Sequence, residues 1–194
     1  MLTSARTTMP ALDYVSIIRS VYGDRRAMLA GAVASATTAA LTAYHASSPL
    51  LYAVVVAFVL IGIVRYADSR AFWQAAIGND DAKAAEHWEH RAVLSGVLLA
   101  MVYGTWCFLS IAVVREPFAE LASVALSIAV MVGICARNFG LDRLVSLQML
   151  FVIVPMALGF FLHGDPYYVF LAALLVLMLS SFRKLAGDIR AILL

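Results

Sequence analysis

Charge is scarce in this sequence. Of its 194 residues only 13% are Asp, Glu, Lys or Arg, whereas 63% are hydrophobic; an average soluble domain has about 25% charged residues. A soluble fold of this size still exposes about 30% of its unfolded surface and needs polar side chains there, so a soluble globular domain is excluded. Disorder is excluded too, because it requires low hydrophobicity. The mean hydropathy of +0.91 indicates an integral membrane protein.

Cysteine and catalytic motifs are scarce as well. Two cysteines, Cys107 and Cys135, are too few for a disulfide framework. The chain has no Gly-x-Ser-x-Gly, no phosphate-binding glycine loop and no Cys-x-x-Cys. A net charge of +2 is too small to indicate nucleic acid as a partner. The N-terminus has no compact apolar stretch before a cleavage site, so we expect the first span to serve as the insertion signal.

Six apolar stretches approach the roughly 20 helical residues that cross a hydrocarbon core of about 30 Å. They lack the strict alternation of barrel strands. The predicted fold class is therefore all-α, an integral membrane bundle of six transmembrane helices. The second span is short unless its helix continues past Arg65. The predicted spans are residues 27–44, 50–64, 92–114, 118–136, 144–162 and 167–182.

The basic residues predict the orientation of this bundle. All but one of the 14 Lys and Arg residues precede the first span, follow the sixth, or lie between spans two and three or four and five. Only Arg115 lies on the other side. Because basic residues favour the cytoplasmic side, we expect three antiparallel helix hairpins with both termini in the cytoplasm.

Each predicted outer turn places a polar residue before a proline. Proline suits the first turn of a helix, and the polar side chain can cap its free N–H groups. Asp24 and Asp142 are expected to cap the first and fifth spans in the same way, and Gly140 to end the fourth. The three outer pairs are Ser48-Pro49, Glu116-Pro117 and Asp165-Pro166.

Two inner segments are predicted to be helical outside the spans. Residues 1–26 form a cytoplasmic segment with an interfacial amphipathic helix, whose apolar face holds Leu12, Val15, Ile18 and Val21 or Tyr22. Residues 66–90 form a helical hairpin that extends the second and third spans and turns at residues 78–81.

Small residues recur at every fourth position in several spans. Such faces let helix backbones approach closely in lipid. We expect them to pack helices within the chain, with a dimer face as the alternative. The packing positions singled out are Gly31, Ser35, Gly96, Gly104 and Gly133.

Ionisable residues near the outer ends form the candidate site. His45, His163, Glu120 and Asp165 are expected at a similar depth, where imidazole and carboxylate could hold a divalent metal, or the two histidines a haem. The alternative is that they face headgroups and water. The membrane core is otherwise nearly free of charge, which disfavours a transporter or channel.

A family resemblance is carried by residues 21–26 (VYGDRR) and 181–194 (SFRKLAGDIRAILL), together with the six spans and the charged inner hairpin. These resemble the N-terminal membrane region of bacterial GGDEF diguanylate cyclases, many of which also carry an EAL phosphodiesterase domain. The resemblance implies a multi-pass protein of the bacterial inner membrane. It also implies a sensory input module whose last helix leads to a cytoplasmic cyclic-di-GMP output domain. Neither catalytic motif is present, so we expect no cyclase activity from this chain, and we expect it to be part of a longer protein.

The end of the chain carries the predicted signalling element, residues 183–194. Leu185, Ile189, Ile192 and Leu193 form one apolar stripe. In a homodimer, as the family resemblance implies, this stripe would begin a parallel coiled coil; alternatively it lies on the membrane surface or the inner hairpin.

The alternative functions are a small transporter or channel subunit and a haem-binding membrane protein. Besides the lipid bilayer, a lipid or small molecule is a possible ligand, and the stimulus stays open.

Overall fold

A computed structural model describes residues 10–78, 81–138 and 140–193, and their side chains except those of residues 136, 179 and 182–193. The described backbone is all-α. The fourth helix ends in a π-helical turn, Leu109–Val114, before Arg115 turns the chain with a left-handed backbone. The helices are α1 (Ala11–Gly23), α2 (Arg25–His45), α3 (Pro49–Gln74), α4 (Ala82–Phe108), α5 (Pro117–Asn138), α6 (Asp142–His163) and α7 (Pro166–Leu193).

Five of these helices are long and apolar enough to cross a membrane, so the chain has the character of a multi-pass membrane protein. In α7 the apolar stretch found among the described side chains is shorter, Pro166–Met178. A sixth span and cytoplasmic termini therefore stay predictions. The five candidate spans are Arg25–His45, Pro49–Gln74, Ala82–Val114, Pro117–Cys135 and Asp142–His163.

Helix α4 lies at the centre of the bundle, packed against α6, α3, α5 and α1. Helix α2 packs against α3 and α5, and α7 packs mainly against α6. The core around α4 is apolar, with Trp106 and Phe58 in an edge-to-face contact at 5.5 Å between ring centroids. Large apolar side chains also cover the outside, as at Leu121, which is 71% exposed. Such a surface suits lipid rather than water.

The proline turns mark one end of the bundle, called the outer end below. Glu116 accepts hydrogen bonds from the N–H groups of Phe118 and Ala119, and Asp165 accepts one from Tyr167. Both predicted caps are therefore confirmed. The side chain of Ser48, in contrast, makes no capping hydrogen bond.

At the inner end, Asp24 accepts a hydrogen bond from the N–H of Ala27 and caps α2 as predicted. Asp142 does not act as the N-cap of α6, because the helix begins at that residue and its N-cap is Leu141. Helix α5 ends before Gly140, where a Cβ would lie 2.7 Å from Ile17 of α1. Close approach to α1 therefore accounts for glycine at this turn.

Helix α1 packs on the inner extensions of the bundle mainly through the predicted face, but with Tyr14 in place of Leu12. Tyr14, Val15, Ile18 and Tyr22 are buried, whereas Leu12 is 59% exposed. The reason is that α1 packs against α4, so protein contacts rather than the membrane surface select its buried face. Helix α3 continues past the predicted end of the second span to Gln74, and α4 begins at Ala82, as expected for an inner hairpin.

Hydrogen bonds connect α1 to this inner hairpin. The Tyr14 hydroxyl donates to the buried Glu89, and the Tyr22 hydroxyl donates to the carbonyl of Trp88 at 3.1 Å. The indole N–H of Trp73 donates to the carbonyl of Tyr22 at 2.9 Å. Burial, with the nearby Asp68 carboxylate, raises the pKa of Tyr22 far above its usual value, so its hydroxyl stays a neutral donor.

Candidate functional site: a cavity beside α2

The small-residue stripe of α2 is buried only in its outer half. Ser35, Ala39 and Ala43 are buried against the bundle, but Ala27 and Gly31 are exposed. A Cβ added at Gly31 would meet no atom within 4 Å. On its Gly31 face, the inner half of α2 therefore leaves space beside its neighbours, whereas its Ala32 face packs on α3, where a Cβ on Gly62 would lie 3.3 Å from Ala32.

A cavity of about 280 Å³ fills the space that this half of α2 leaves open. It lies between α2, α3, α4 and α5, and its volume approaches the lower limit of roughly 300 Å³ for small-molecule sites. The walls are mostly apolar. The lining residues are Ala27, Met28, Leu29, Gly31, Ala32, Ser35, Phe58, Gly62, Arg65, Leu99, Tyr103, Val130, Gly133, Ile134 and Arg137.

Two hydroxyl groups close the deep end of the cavity. Ser35 and Tyr103 hydrogen-bond to each other, and the Ser35 hydroxyl also donates to the carbonyl of Gly31 at 2.7 Å. The Tyr103 ring packs edge-to-face on Phe58, with centroids 4.8 Å apart. At 1.5 Å per residue, Ser35 is about 15 Å from the outer end of α2 at His45. This hydroxyl pair therefore lies near the middle of a bilayer-sized bundle and joins α2 to the central helix.

Two arginines border the opposite end. Arg65 lies about 24 Å along α3 from Pro49, and Arg137 about 30 Å along α5 from Pro117, at 1.5 Å per residue. Both positions fall near the inner limit of a hydrocarbon core about 30 Å thick. Both guanidinium groups border the same cavity, so their like charges repel each other. The cavity thus runs from hydroxyl groups at mid-depth to positive charge at its inner end.

These two charges have no carboxylate partner in the part of the chain that the structure describes, where the ion pairs within 4 Å involve other residues. The Nε of Arg137 is buried and makes no hydrogen bond. Asp24 acts on Arg137 and Asp68 on Arg65 only at longer range, since Asp24 caps α2 through Ala27 and Asp68 pairs with Arg91. Buried donors of this kind are costly unless a partner satisfies them.

The glycines predicted to pack helices divide into two groups. A Cβ at Gly96 would lie 2.7 Å from Leu144, and one at Gly104 would lie 2.1 Å from the carbonyl oxygen of Phe151, so both mark close contact of α4 with α6. Gly31 and Gly133 instead line the cavity, and a Cβ at either would meet nothing within 4 Å. Close packing is therefore not what requires glycine at these two positions.

In the predicted outer site, each of the two histidines lies beside a different glutamate. His45 Nδ1 lies 3.2 Å from Glu116, whereas His163 Nε2 lies 3.8 Å from Glu120. The Tyr168 hydroxyl donates to Glu120 at 2.8 Å and its ring stacks on His163, with centroids 3.9 Å apart. This second group joins the outer ends of α5, α6 and α7.

Asp165 caps α7 through the N–H of Tyr167. Among the described residues no group of three or more His, Cys, Asp or Glu side chains is placed to hold a metal ion. The haem interpretation of His45 and His163 stays a prediction, which an absorption spectrum of the purified protein checks. The stripe of Leu185, Ile189, Ile192 and Leu193 lies outside the described side chains.

Comparison with protein-family models, with curated proteins and with solved structures finds no match. The resemblance to the membrane regions of diguanylate cyclases therefore depends on the sequence segments alone. A larger groove of about 550 Å³ between α3 and α4 has no charged residue in its lining, whereas the cavity beside α2 combines a ligand-sized space with two arginines.

From the sequence, Arg65 and Arg137 are predicted only to belong to the basic residues of the inner side, and no role is predicted for Tyr103. The signal for the site was nevertheless present in the helical spacing. Phe58, Gly62 and Arg65 follow each other at i, i+4 and i+7, which places them on one face of α3. Gly133 and Arg137 share one face of α5 in the same way, at i and i+4.

Proposed function

We propose that this chain is the membrane input module of a signalling protein. A ligand from the membrane occupies the cavity, and the resulting change in helix packing passes through α7 to a cytoplasmic domain. The observation that carries this proposal is the cavity itself, because it lies between four helices, has charged and hydroxyl groups at its two ends, and leaves Gly31 and Gly133 without close neighbours.

The contacts around the cavity supply a route for the signal. Helix α2 packs against α3 and α5, and the Ser35–Tyr103 hydrogen bond connects it to α4. Helix α4 packs against α6, which in turn carries α7. A ligand shifts such a bundle only if it binds one arrangement of α2 more tightly than another. An occupant that draws the cavity walls together meets this condition.

The topology of the proposal has α7 as the sixth span and both termini in the cytoplasm. Its support is the placement of nearly all basic residues at the inner end and the continuous helix of α7 to Leu193. A reporter fused after Leu194 is expected to be active only if it functions in the cytoplasm. An active periplasmic reporter at that position would contradict the six-span topology.

The output is proposed to be cyclic-di-GMP synthesis or breakdown, on the strength of the family resemblance. The reading frame beyond codon 194 of the gene checks for a Gly-Gly-Asp-Glu-Phe or Glu-Ala-Leu domain.

In cells that express the full-length protein, Gly31→Leu is expected to change the cyclic-di-GMP level because it fills the cavity. Ala30→Leu is the matched control, since residue 30 is exposed and lies outside the cavity. If wild type and a normally inserted Gly31→Leu variant give equal cyclic-di-GMP levels, the proposed role of the cavity in signalling is contradicted.

A further inference from the structure

The inner end of the cavity has the chemistry of an anion site. Arg65 and Arg137 repel each other, and among the described residues neither has an acidic group within 4 Å. An anion between the two groups would offset that repulsion and accept hydrogen bonds from their guanidinium N–H groups. Arginine favours phosphate and carboxylate in particular, because its planar donors match two oxygen atoms at once.

The rest of the cavity suits a hydrocarbon chain. From Ala27 to Ser35 the cavity follows α2 for about 12 Å at 1.5 Å per residue, and Leu29, Val130 and Ile134 contribute apolar walls. Hydrocarbon in such a space gains contacts that an empty cavity lacks. A ligand with an anionic end at the arginines and an apolar body toward Tyr103 therefore matches both ends of the site.

The cavity also adjoins the lipid-facing surface. A groove of about 270 Å³ on the outside of the α2–α3 seam shares four lining residues with the cavity. Its other walls include Val33 and Ile63, which are 64% and 60% exposed. The cavity therefore lies directly beneath the lipid-facing surface, with the Ala32–Gly62 contact of α2 and α3 as part of the wall between cavity and groove. The shared residues are Leu29, Ala32, Phe58 and Gly62.

We propose that the cavity binds a membrane phospholipid with a net negative headgroup, its phosphate between Arg65 and Arg137 and one acyl chain extending toward Tyr103. This inference rests on the proposed function, since it names the ligand class of the same site. The two arginines lie at the depth where headgroups of the inner leaflet begin, about 24 to 30 Å from the outer end. Anionic lipids of that leaflet are attracted by basic residues at this level.

Binding is tested on the purified chain in detergent with phosphatidylglycerol as the probe. Native mass spectrometry is expected to show one retained phosphatidylglycerol, and thermal unfolding is expected to shift upward when this lipid is added. Phosphatidylcholine, whose headgroup has no net charge, is expected to bind more weakly. Arg65→Gln and Arg137→Gln are each expected to weaken binding by roughly tenfold or more, because each removes charged hydrogen bonds. Arg70→Gln, an exposed change in the same helix, is the matched control and is expected to bind as wild type.

Gly31→Leu provides a second test that leaves both arginines in place. The added side chain is expected to occupy the acyl-chain space and abolish the retained lipid, whereas Ala30→Leu is expected to keep it. Circular dichroism and size-exclusion chromatography establish that each variant is folded. Because two independent changes are used, failure of one variant to fold leaves the other informative.

Three results would overturn the inference. Equal retention of phosphatidylglycerol by wild type and all folded variants would mean that the lipid binds only at the general surface. An equal shift with inorganic phosphate alone would mean that a soluble anion is the ligand. Binding of a fatty acid but not of phosphatidylglycerol would mean that the site takes a single-chain carboxylate. These measurements use the chain without its output, so loss of lipid binding is distinguishable from a failure of signalling through α7.

Discussion

The carbonyl oxygen of Phe151 in α6 faces Gly104 in α4, and a Cβ built at residue 104 would lie only 2.1 Å from that oxygen. The ring of Pro155 is also close, 2.9 Å from the same Cβ. Proline has no N–H, so the carbonyl four residues earlier, that of Phe151, lacks its helical donor. The open backbone of Gly104 lets α4 approach this free carbonyl, where a weak Cα–H···O contact can form.

The variant Gly104→Ala is expected to destabilise the bundle by about 1–3 kcal/mol, the usual cost of overpacking a tight core. A backbone atom rather than a flexible side chain stands in the way, so α4 and α6 must separate. Thermal unfolding in detergent measures the loss. Gly31→Ala and Gly133→Ala are matched controls, because neither new Cβ meets an atom within 4 Å. An equal loss of thermal stability in all three variants would contradict the conclusion that close contact of α4 with α6 requires glycine at residue 104.

The attachment of α1 gives a second prediction. The variant Tyr14→Phe removes the hydrogen bond to Glu89 while keeping the aromatic ring, and it is expected to cost about 1–3 kcal/mol, as for hydrogen bonds to charged groups. Hydrogen exchange of α1 is expected to rise more than that of α6. Tyr44→Phe is the control, since Tyr44 is 76% exposed at the outer end. Unchanged exchange in Tyr14→Phe would mean that apolar packing and the hydrogen bonds of Tyr22 hold α1 without the bond to Glu89.

The cap at Glu116 gives a prediction on pH. Desolvation acts to raise the pKa of the Glu116 carboxyl, but the N–H groups of Ala119 and Phe118 and the His45 imidazole lower it below its ordinary value. A carboxyl whose pKa falls on folding stabilises the folded state above its ordinary pKa of about 4.3, and this contribution is lost as pH falls through the lowered value.

The melting temperature of wild type is therefore expected to exceed that of Glu116→Gln at pH 5, and the difference is expected to shrink as pH is lowered below about 4.3. His45→Gln is expected to lose only part of the difference, because the two backbone donors to Glu116 remain. A difference between wild type and Glu116→Gln that does not change from pH 5 to pH 3 would contradict this account.

The helical nature of the chain and most of its helix ends followed from local chemistry. Asp24, Glu116 and Asp165 cap helices as predicted, because a cap involves only the next three residues. Apolar length likewise identified the long helices without knowledge of their neighbours. Features that depend on one stretch of chain are the ones that a single sequence can specify.

The candidate site could not be predicted in the same way. The periodicity of α2 shows where its small residues lie, but the partner helices decide that Ser35 packs while Gly31 faces a cavity. Arg65 and Arg137 are far apart in the sequence, and only the helix arrangement brings their charges together. The same reason explains why α1 buries Tyr14 rather than Leu12, since α4 supplies the opposing surface.

The last prediction concerns α7 as the output element. Its backbone continues as helix beyond the apolar stretch Pro166–Met178 to Leu193, and Tyr168 fixes its outer end to Glu120. If the stripe through Ile189 begins a parallel coiled coil, cysteine at residue 189 is expected to cross-link two copies in native membranes. Cysteine at Arg190, on the neighbouring face, is expected to cross-link less. The unmodified chain is the background control, because its own cysteines are buried.

A signal carried along this helix depends on its rotation. One residue inserted near Gly187 is expected to turn everything downstream by about 100° and to change the output of the full-length protein. An insertion of seven residues, about two turns, is expected to restore most of that output because the stripe returns to its original face. Equal cross-linking at residues 189 and 190, with output indifferent to the length of the insertion, would mean that α7 only tethers the cytoplasmic part. In that case the signal proposed to start at the cavity beside α2 would have to pass through another helix.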